Sequence, residues 1–404
     1  MKIIFYISIF ALFYAMIGYP ITLFIMDKLI KRENEKDYSY KPFVSIIISA
    51  YNEEKVIERK LENIIETTYP YYEVIIANDA SNDRTVEICE KFIKNHPDYD
   101  IKVNTVKNHL GKTNAQDEAV EIAKGEVLVF SDANSMFKKD AIDELVSFFT
   151  ADDIEYVCGS LIYAKDDGKS SVVAENSYWN MELRLRKIES QISTIAAGNG
   201  AIYAVKKKDY RHYDLVSSHD YEMPLHAGLN HKKALYNPKA VAVEYAGANS
   251  KDEYKRKVRM QRRILTNLFT NLRRLNIFEY GYFSFFHFNH KTLRFLQSFF
   301  HILLIISNLF LLNDGVFYRI FFLLQVAFFI LATIGKLTES KSKIFYFPMY
   351  YCLMMLAQIH GAFNQITGKS KATWEKAEST RFIDENWSFN FNDEWKVYSL
   401  LQEI

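Results

Sequence analysis

The sequence predicts an α/β fold in which a largely parallel sheet carries helices on both faces, joined to transmembrane helices. Three observations predict it. Between residues 44 and 132, strand and helix patterns alternate. The strand segments are short apolar runs, as suits strands buried on both faces. Charge is absent from Ile3 to Met26 and scarce from about residue 295 to residue 366, and both stretches are long enough to cross a bilayer.

Composition narrows the class. The 404 residues carry a formal net charge of +1, which argues against a dedicated nucleic-acid binder. Residues 30–290 have the charge density of a soluble domain, so the length reads as one globular domain plus membrane segments. Cys89, Cys158 and Cys352 are scattered without metal-ligand spacing and fit packed thiols in a reducing setting. There is no internal repeat.

Ile3 to Met26 is expected to anchor the chain; a buried core helix is the competing reading. Lys28, Lys31 and Arg32 follow it, without a small-residue cleavage site, which argues against a secretory signal. Cations on its C-terminal side put that side in the cytoplasm. Arg32 to Lys36 is a polar linker, and Val44 to Ala50 (VSIIISA) a buried strand. Glu53 to Thr68 repeats apolar residues at Val56, Ile57, Leu61, Ile64 and Ile65, a helical spacing. Glu73 to Asn78 is the second strand, Arg84 to Asn95 the second helix and Ile101 to Val106 the third strand. Thr113 to Lys124 is the third helix, with Gly125 as its stop. Then comes the apolar run Val127–Phe130, ending abruptly in Ser131-Asp132-Ala133-Asn134.

Later elements are less regular. Ala141 to Phe149 reads as a helix and Tyr156 to Tyr163 as a strand. Glu175 to Gln191 reads as a long helix with a stripe through Tyr178, Leu185 and Ile188. Ala197 to Val205 is a glycine-bearing turn entering a strand, Asp220 to Leu229 a short helix, and Val241 to Tyr245 a last strand. Tyr254 to Arg263 is densely basic, and the aromatic stretch Phe278 to His290 suits a membrane interface. Phe295–Leu312 and Val316–Ile334 are each long enough to cross, joined by Asn313-Asp314-Gly315, with Arg319 near enough to an end to snorkel. Ile344 to Ile366 is broken by Pro348 and carries Gln358, His360 and Gln365, so it crosses or re-enters. Crossing would put the tail outside, whereas Lys369, Lys371 and Lys376 favour inside. The expected parts are a 1–28 anchor, a 40–265 cytoplasmic domain, a 266–292 interfacial segment, 293–366 transmembrane helices and a 367–404 tail.

The strand ends converge chemically. The first ends in Ser49-Ala50-Tyr51-Asn52-Glu53, the second in Asn78-Asp79-Ala80-Ser81-Asn82-Asp83, and the third of the set in Asp132-Ala133-Asn134. Ligands of open α/β sheets bind beyond the carboxyl ends of strands. Two oxygen donors two positions apart on one turn can share a hard cation, and that cation could bridge two phosphates. Asp132 as a simple turn cap is the alternative.

These segments together resemble membrane-bound glycosyltransferases of family 2, with the nucleotide-sugar-binding fold called GT-A. The resemblance rests on VSIIISAYNEE, VIIANDASNDRT, GKTNAQDEAVEIAKGEVLVFSDAN, ENSYWNMELRLRKIESQ, AGNGAIYAV and HDYEMPLHAG, in that order, between about Val44 and Arg263. It implies a hexosyltransferase that takes a UDP-sugar, a hexose or N-acetylhexosamine. It implies that Asp79 meets the uracil ring and that Ala50, Tyr51 and Glu53 line the nucleotide pocket. Asp132 and Asn134 stand where the family binds Mg2+ or Mn2+ with Asp-X-Asp; an amide oxygen replaces the second carboxylate. Asp220 stands at the catalytic base of an inverting transfer, or is a helix N-cap, and both can hold. His219, where the family has Glu, is an acceptor contact or a polar loop residue.

Other positions keep two readings. Lys112 neutralises phosphate at a helix N-terminus or is a surface lysine. Gly198, Asn199 and Gly200 floor an acceptor pocket or make a plain turn. Arg256, Lys257, Arg259, Arg262 and Arg263 meet the diphosphate or anionic lipid headgroups. In processive relatives a Gln-X-X-Arg-Trp motif sits here; Gln261 is present, but Ile264 and Leu265 follow where Arg and Trp would. The tail segment KATWEKAESTR, with Trp374 and Arg381, also resembles these enzymes. The implied acceptor is membrane-associated, either a growing polysaccharide exported through the spans or a lipid-linked sugar extended once. An inactive nucleotide-sugar sensor is the alternative from another class, and no nucleic acid is expected.

Overall fold

The computed structural model describes residues 1–30, 32–164, 170–245, 254–261, 272–340 and 342–369. Arg262, Arg263, Trp374, Arg381 and the 370–404 tail lie outside the described residues, as do the side chains of 164–179 and with them Tyr178. The chain forms two compact units, one built around Ile30–Ala248 and one from Met1–Leu29 with Asn249–Ser370.

The chain opens with α1, Lys2–Leu29, a 28-residue apolar helix with one π turn at Tyr14–Gly18. The sheet unit follows. Its strands are β1 (Val44–Ala50), β2 (Tyr72–Asn78), β3 (Ile101–Thr105), β4 (Val127–Asp132), β5 (Met136–Phe137), β6 (Ile154–Ala164), β7 (Ile202–Lys206) and β8 (Lys233–Tyr245). Among the described residues they make one sheet in the order β3-β2-β1-β4-β7-β6-β8-β5. The β3-β2-β1-β4 half is parallel, as continuous apolar runs separated by helices require. β7 runs antiparallel to both its neighbours, so the sheet is mixed and mostly parallel.

The helices are α2 (Ile57–Ile65), α3 (Thr85–Asn95), α4 (Lys112–Ile122), α5 (Ala141–Val146), α6 (Ser170–Ile192) and α7 (His219–Leu229). Alternation along the strands divides the core between two faces. Ile46, Ile48, Val127 and Val129 pack with Leu61 of α2, Phe92 of α3 and Leu145 of α5. Ile47, Leu128 and Phe130 pack with Ala115 and Ala119 of α4, Leu183 of α6 and Met223 of α7.

Two expectations change here. Gly125 does not stop α4, which ends at Ile122; it lies against β1, where a Cβ would come within 2.3 Å of the Ser45 amide nitrogen. β8 begins at Lys233, eight residues before the expected Val241, because a register shift around Asn237-Pro238 interrupts its apolar pattern.

The other unit is helical. Val316–Thr338 and Lys2–Leu29 are each long and apolar enough to cross a membrane. Tyr282–Phe295 and Gln297–Phe310 meet at 58° and would make a third span if they act as one. The expected span Phe295–Leu312 is helical over Gln297–Phe310, because the helix breaks at Leu296. Gln297–Phe310 alone has 14 residues, about 21 Å at 1.5 Å per residue. Lys343–Ile366 is one continuous helix of 24 residues that contains Pro348, so the proline does not break it. Phe5, Leu12, Leu304, Leu311 and Tyr318 form the apolar cluster tying α1 to Gln297–Phe310 and Val316–Thr338. Lys2 pairs with Asp314 at 3.2 Å.

Candidate active site

The ends of β1 and β2 are laced together. Ala50 pairs with Asn78 in register, so Asn52 and Ala80 stand at equivalent positions, and both adopt left-handed φ, 54° and 55°. These turns lift the following loops off the sheet edge in parallel. Asn52 accepts from the Asn82 amide at 2.9 Å and donates its own amide to Ser81 Oγ at 2.9 Å. The Glu53 amide donates to Thr85 Oγ1 at 2.8 Å, and the Glu53 side chain is buried.

Asp79 is the anchor of the next loop. Its carboxylate accepts the amides of Leu110 at 3.1 Å and Gly111 at 2.9 Å, with His109 Nδ1 at 2.8 Å. Burial raises its pKa, and His109 and the two amides pull against it. The His109 ring stacks on Tyr51, with centroids 3.8 Å apart. Tyr51 and His109 thus form one aromatic surface at the ends of β1 and β2, held by the buried Asp79 carboxylate.

Gly111, at φ 108°, turns the chain into α4, whose first residue is Lys112. The Lys112 ammonium donates to an Asp132 carboxylate oxygen and, at 3.1 Å, to the Gly200 carbonyl. Asp132 closes β4 and is about one-fifth exposed. The Ser135 amide donates to the Asp132 carbonyl at 3.2 Å, so Asp132, Ala133 and Asn134 share one tight turn.

Gly200 faces Asp220, the second residue of α7. A Cβ built on Gly200 would lie 3.5 Å from Asp220 Cγ. The Asp220 carbonyl accepts the Gly198 amide at 2.6 Å. Gly198 tolerates no side chain, since a Cβ would meet Tyr156 Oη at 2.0 Å. Asn199 is buried and accepts the Ala201 amide at 3.0 Å, so it shapes the turn from inside. Asp132, Lys112, Gly200 and Asp220 form one continuous row.

His219 points inward. It is 3% exposed, with Nδ1 3.0 Å from Tyr203 Oη and Nε2 3.3 Å from Tyr210 Oη. Tyr210 in turn donates to Asp117. Burial lowers the His219 pKa against the pull of Asp117. The ring holds the N-terminus of α7, and with it Asp220, against the sheet; it belongs to the interior and not to an open loop.

Arg259 and Gln261 lie in the helical unit, on a helix over 254–261. Gln261 is buried and donates to the Phe295 carbonyl at 3.2 Å. Gly361 packs against the same helix, where a Cβ would come within 2.6 Å of the Val258 carbonyl.

The donors at the Asp132 turn suit a divalent cation, which Asp132 and Asn134 would hold. The turn offers one carboxylate and one amide, hard oxygen donors suited to Mg2+ or Mn2+, ions that keep waters and take phosphate oxygens. Among the described residues no cluster of three His, Cys, Asp or Glu supplies a fuller cage.

Sequence reasoning missed His109, the Tyr203-Tyr210-Asp117 network and Lys60. Lys60 was legible: it sits in the stripe Ile57, Leu61, Ile64 of α2, where a hydrophobe belongs, and it is wholly buried.

Comparison with known proteins agrees with the fold. Residues 45–211 match the model of glycosyl transferase family 2. Poly-beta-1,6-N-acetyl-D-glucosamine synthase of Staphylococcus epidermidis is 32% identical over 139 residues, 33% of this chain and 32% of that protein. Beta-monoglucosyldiacylglycerol synthase of Trichormus variabilis is 31% identical over 110 residues, 27% of this chain and 24% of that protein. The chain spans 32% and 24% of the length of these two relatives, a third or less. A solved mannosyltransferase of Pyrobaculum calidifontis, in complex with GDP-Man and Mn2+, matches with a TM-score of 0.67 and 20% identity over 91% of this chain and 100% of that one. At that identity the likeness is one of fold, and the fold is GT-A.

Proposed function

We propose that the protein, whose residues 45–211 match the model of glycosyl transferase family 2, is an inverting glycosyltransferase. It moves a hexose or N-acetylhexosamine from a UDP-sugar to a membrane-associated acceptor, in cell-surface polysaccharide or glycolipid synthesis. One observation carries this reading: Lys112 links the Asp132 carboxylate to Gly200, which faces Asp220.

Inversion needs a carboxylate on the face of the sugar opposite the departing diphosphate. Asp220 fills that role, taking the proton from the acceptor hydroxyl as its oxygen attacks the anomeric carbon. Asp132 stands on the diphosphate side, two residues of the row away. Lys112 turns its ammonium to the phosphate oxygens, a charge-assisted contact at the N-terminus of α4. Asp132 and Asn134 would hold Mg2+ or Mn2+, which when bound stabilises negative charge on the departing nucleotide. Tyr51 and the Asp79-fixed His109 bind the nucleobase side. The Gly198-Asn199-Gly200 turn presents a side-chain-free edge to the acceptor. The rest of the acceleration is positioning and preorganised charge.

The acceptor is membrane-associated because two or three helices of this chain suit a bilayer. Lys28 and Lys336 lie at the ends of Lys2–Leu29 and Val316–Thr338 that would face the cytoplasm, and the Lys2–Asp314 pair joins the opposite ends. The catalytic unit is then cytoplasmic. A polymer-forming reading is favoured by the 32% identity to a poly-N-acetylglucosamine synthase, and a single transfer by the absence of Trp after Gln261.

Purified protein in lipid, offered a panel of UDP-sugars and GDP-mannose with Mn2+ or Mg2+, tests this through nucleotide release and product size. Donor-specific release supports the transferase. A high-mass product selects the polymer, a one-sugar lipid the single transfer. Nucleotide binding without release from any donor, with native lipid extract added, supports the sensor instead.

A further inference from the structure

The loop between β3 and α4 is pinned at both ends. The Val106 amide donates to the Asn78 carbonyl at 3.1 Å, and the Leu110 and Gly111 amides donate to the Asp79 carboxylate at 3.1 and 2.9 Å. His109 lies between these anchors. Its ring is stacked on Tyr51 at an interplanar angle of 11°, and its side chain is 26% exposed.

The contacts of this ring fix which nitrogen carries the hydrogen. Nδ1 lies 2.8 Å from Asp79 Oδ2 and 3.3 Å from the Asp79 carbonyl oxygen. A carboxylate and a carbonyl only accept, so Nδ1 donates. A neutral imidazole has one N–H, which leaves Nε2 a bare acceptor. Nε2 has no hydrogen-bond partner among the described residues. Asp79 itself is 1% exposed, with Oδ1 taken by Leu110 and Oδ2 by Gly111 and His109. Its acceptor character reaches the surface through the His109 ring.

Resting on the nucleotide site of the proposed transferase, we propose that His109 Nε2 selects the nucleobase by accepting a hydrogen bond from a ring N–H, such as uracil N3 and guanine N1 carry. Cytosine N3 and adenine N1 are bare at that place, and two acceptors brought face to face leave both unsatisfied. The amino groups of those bases lie further along the edge, so reaching Nε2 with them shifts the base on its seat. His109 is the specificity-determining residue, and Asp79 is a positioning residue that sets its tautomer.

The test is binding of UDP, GDP, CDP and ADP to full-length protein in lipid nanodiscs with Mn2+, by titration calorimetry at pH 8, which favours neutral imidazole. Wild type is expected to bind UDP or GDP at least about tenfold more tightly than CDP or ADP, and the tighter of the first two names the base. His109→Phe keeps a ring for Tyr51 and removes both nitrogens. Its ratio of UDP or GDP affinity to CDP affinity is expected to fall about tenfold. A purely structural role would weaken all four alike and leave the ratio standing. His109→Lys, whose ammonium only donates, serves if His109→Phe does not fold, and the same fall in the ratio is expected. Equal or tighter binding of CDP or ADP by wild type overturns the proposal and leaves the nucleotide site in place. So does a folded variant that keeps the wild-type ratio. If none of the four binds, the nucleotide site falls and the proposal with it.

Discussion

Lys60 and Asp79 show how single side chains set this site. The Lys60 pKa of about 7 lies below its ordinary 10.5 because burial penalises the ammonium. Below pH 7 the folded and unfolded chains are both protonated, and the whole penalty burdens the fold. Between pH 7 and 10.5 the unfolded chain binds the extra proton, so stability rises with pH. Each unit of depression is about 1.4 kcal/mol. Lys60→Met lacks this dependence. Its melting temperature relative to wild type is expected to be higher at pH 6 than at pH 9.5, and scanning calorimetry at the two values checks it; a pH-independent difference contradicts it. Asp79 holds the amides of Leu110 and Gly111. Asp79→Ala leaves two amides without that acceptor, at about 1–3 kcal/mol, and should weaken UDP binding together with melting temperature. Weakened UDP binding at unchanged melting temperature would show that Asp79 meets the base but does not hold the loop. Asp79, Asp132 and Asp220 stand out as candidates from motif position alone. The buried place of Lys60 is legible in the α2 stripe as well, but its bond to Ser135 and the stacking of His109 on Tyr51 are not, because these contacts cross the fold.

Elements were legible where one periodicity ran uninterrupted. β1, β2 and β4 are unbroken apolar runs, and the sequence places their starts within one residue of the structure. β8 is not, since Asn237-Pro238 interrupts it: Tyr236 pairs with Cys158, but Val241 with Ser160. The extra residues lean on Gly159, where a Cβ would meet the Ala240 carbonyl at 2.2 Å. The break at Leu296 was equally hidden, because apolar composition continues through it. Its stabilising partner is Gln358, which donates to the Arg294 carbonyl at 3.1 Å and accepts the Ser298 amide at 3.2 Å. In an apolar medium those backbone groups need a partner. Gln358→Leu is therefore expected to cost about 1–3 kcal/mol, seen as a lower melting temperature in detergent. An unchanged melting temperature would mean that water already serves the break. Gly198→Ala belongs at this scale too. The clash with Tyr156 Oη at 2.0 Å should displace the turn that faces Asp220, lowering kcat more than UDP affinity. Equal loss of both would mean the whole unit had shifted.

At the scale of the whole molecule, a sheet unit of GT-A fold shares one chain with helices suited to a bilayer. That coupling is why the substrate on the acceptor side is read as membrane-bound. The family resemblance was available from the order of motifs, whereas donor, linkage and acceptor depend on a few pocket contacts that sequence order does not specify. The central claim is that Asp220 is the base for transfer from a donor seated at Asp132. Its most direct measurement is UDP release from the preferred donor by wild type and Asp220→Asn in the same lipid, with UDP·Mn2+ binding followed in parallel. The account predicts a kcat lower by about 10²–10⁴ in Asp220→Asn, with UDP·Mn2+ affinity within about twofold of wild type. Undiminished release by the folded variant would contradict it.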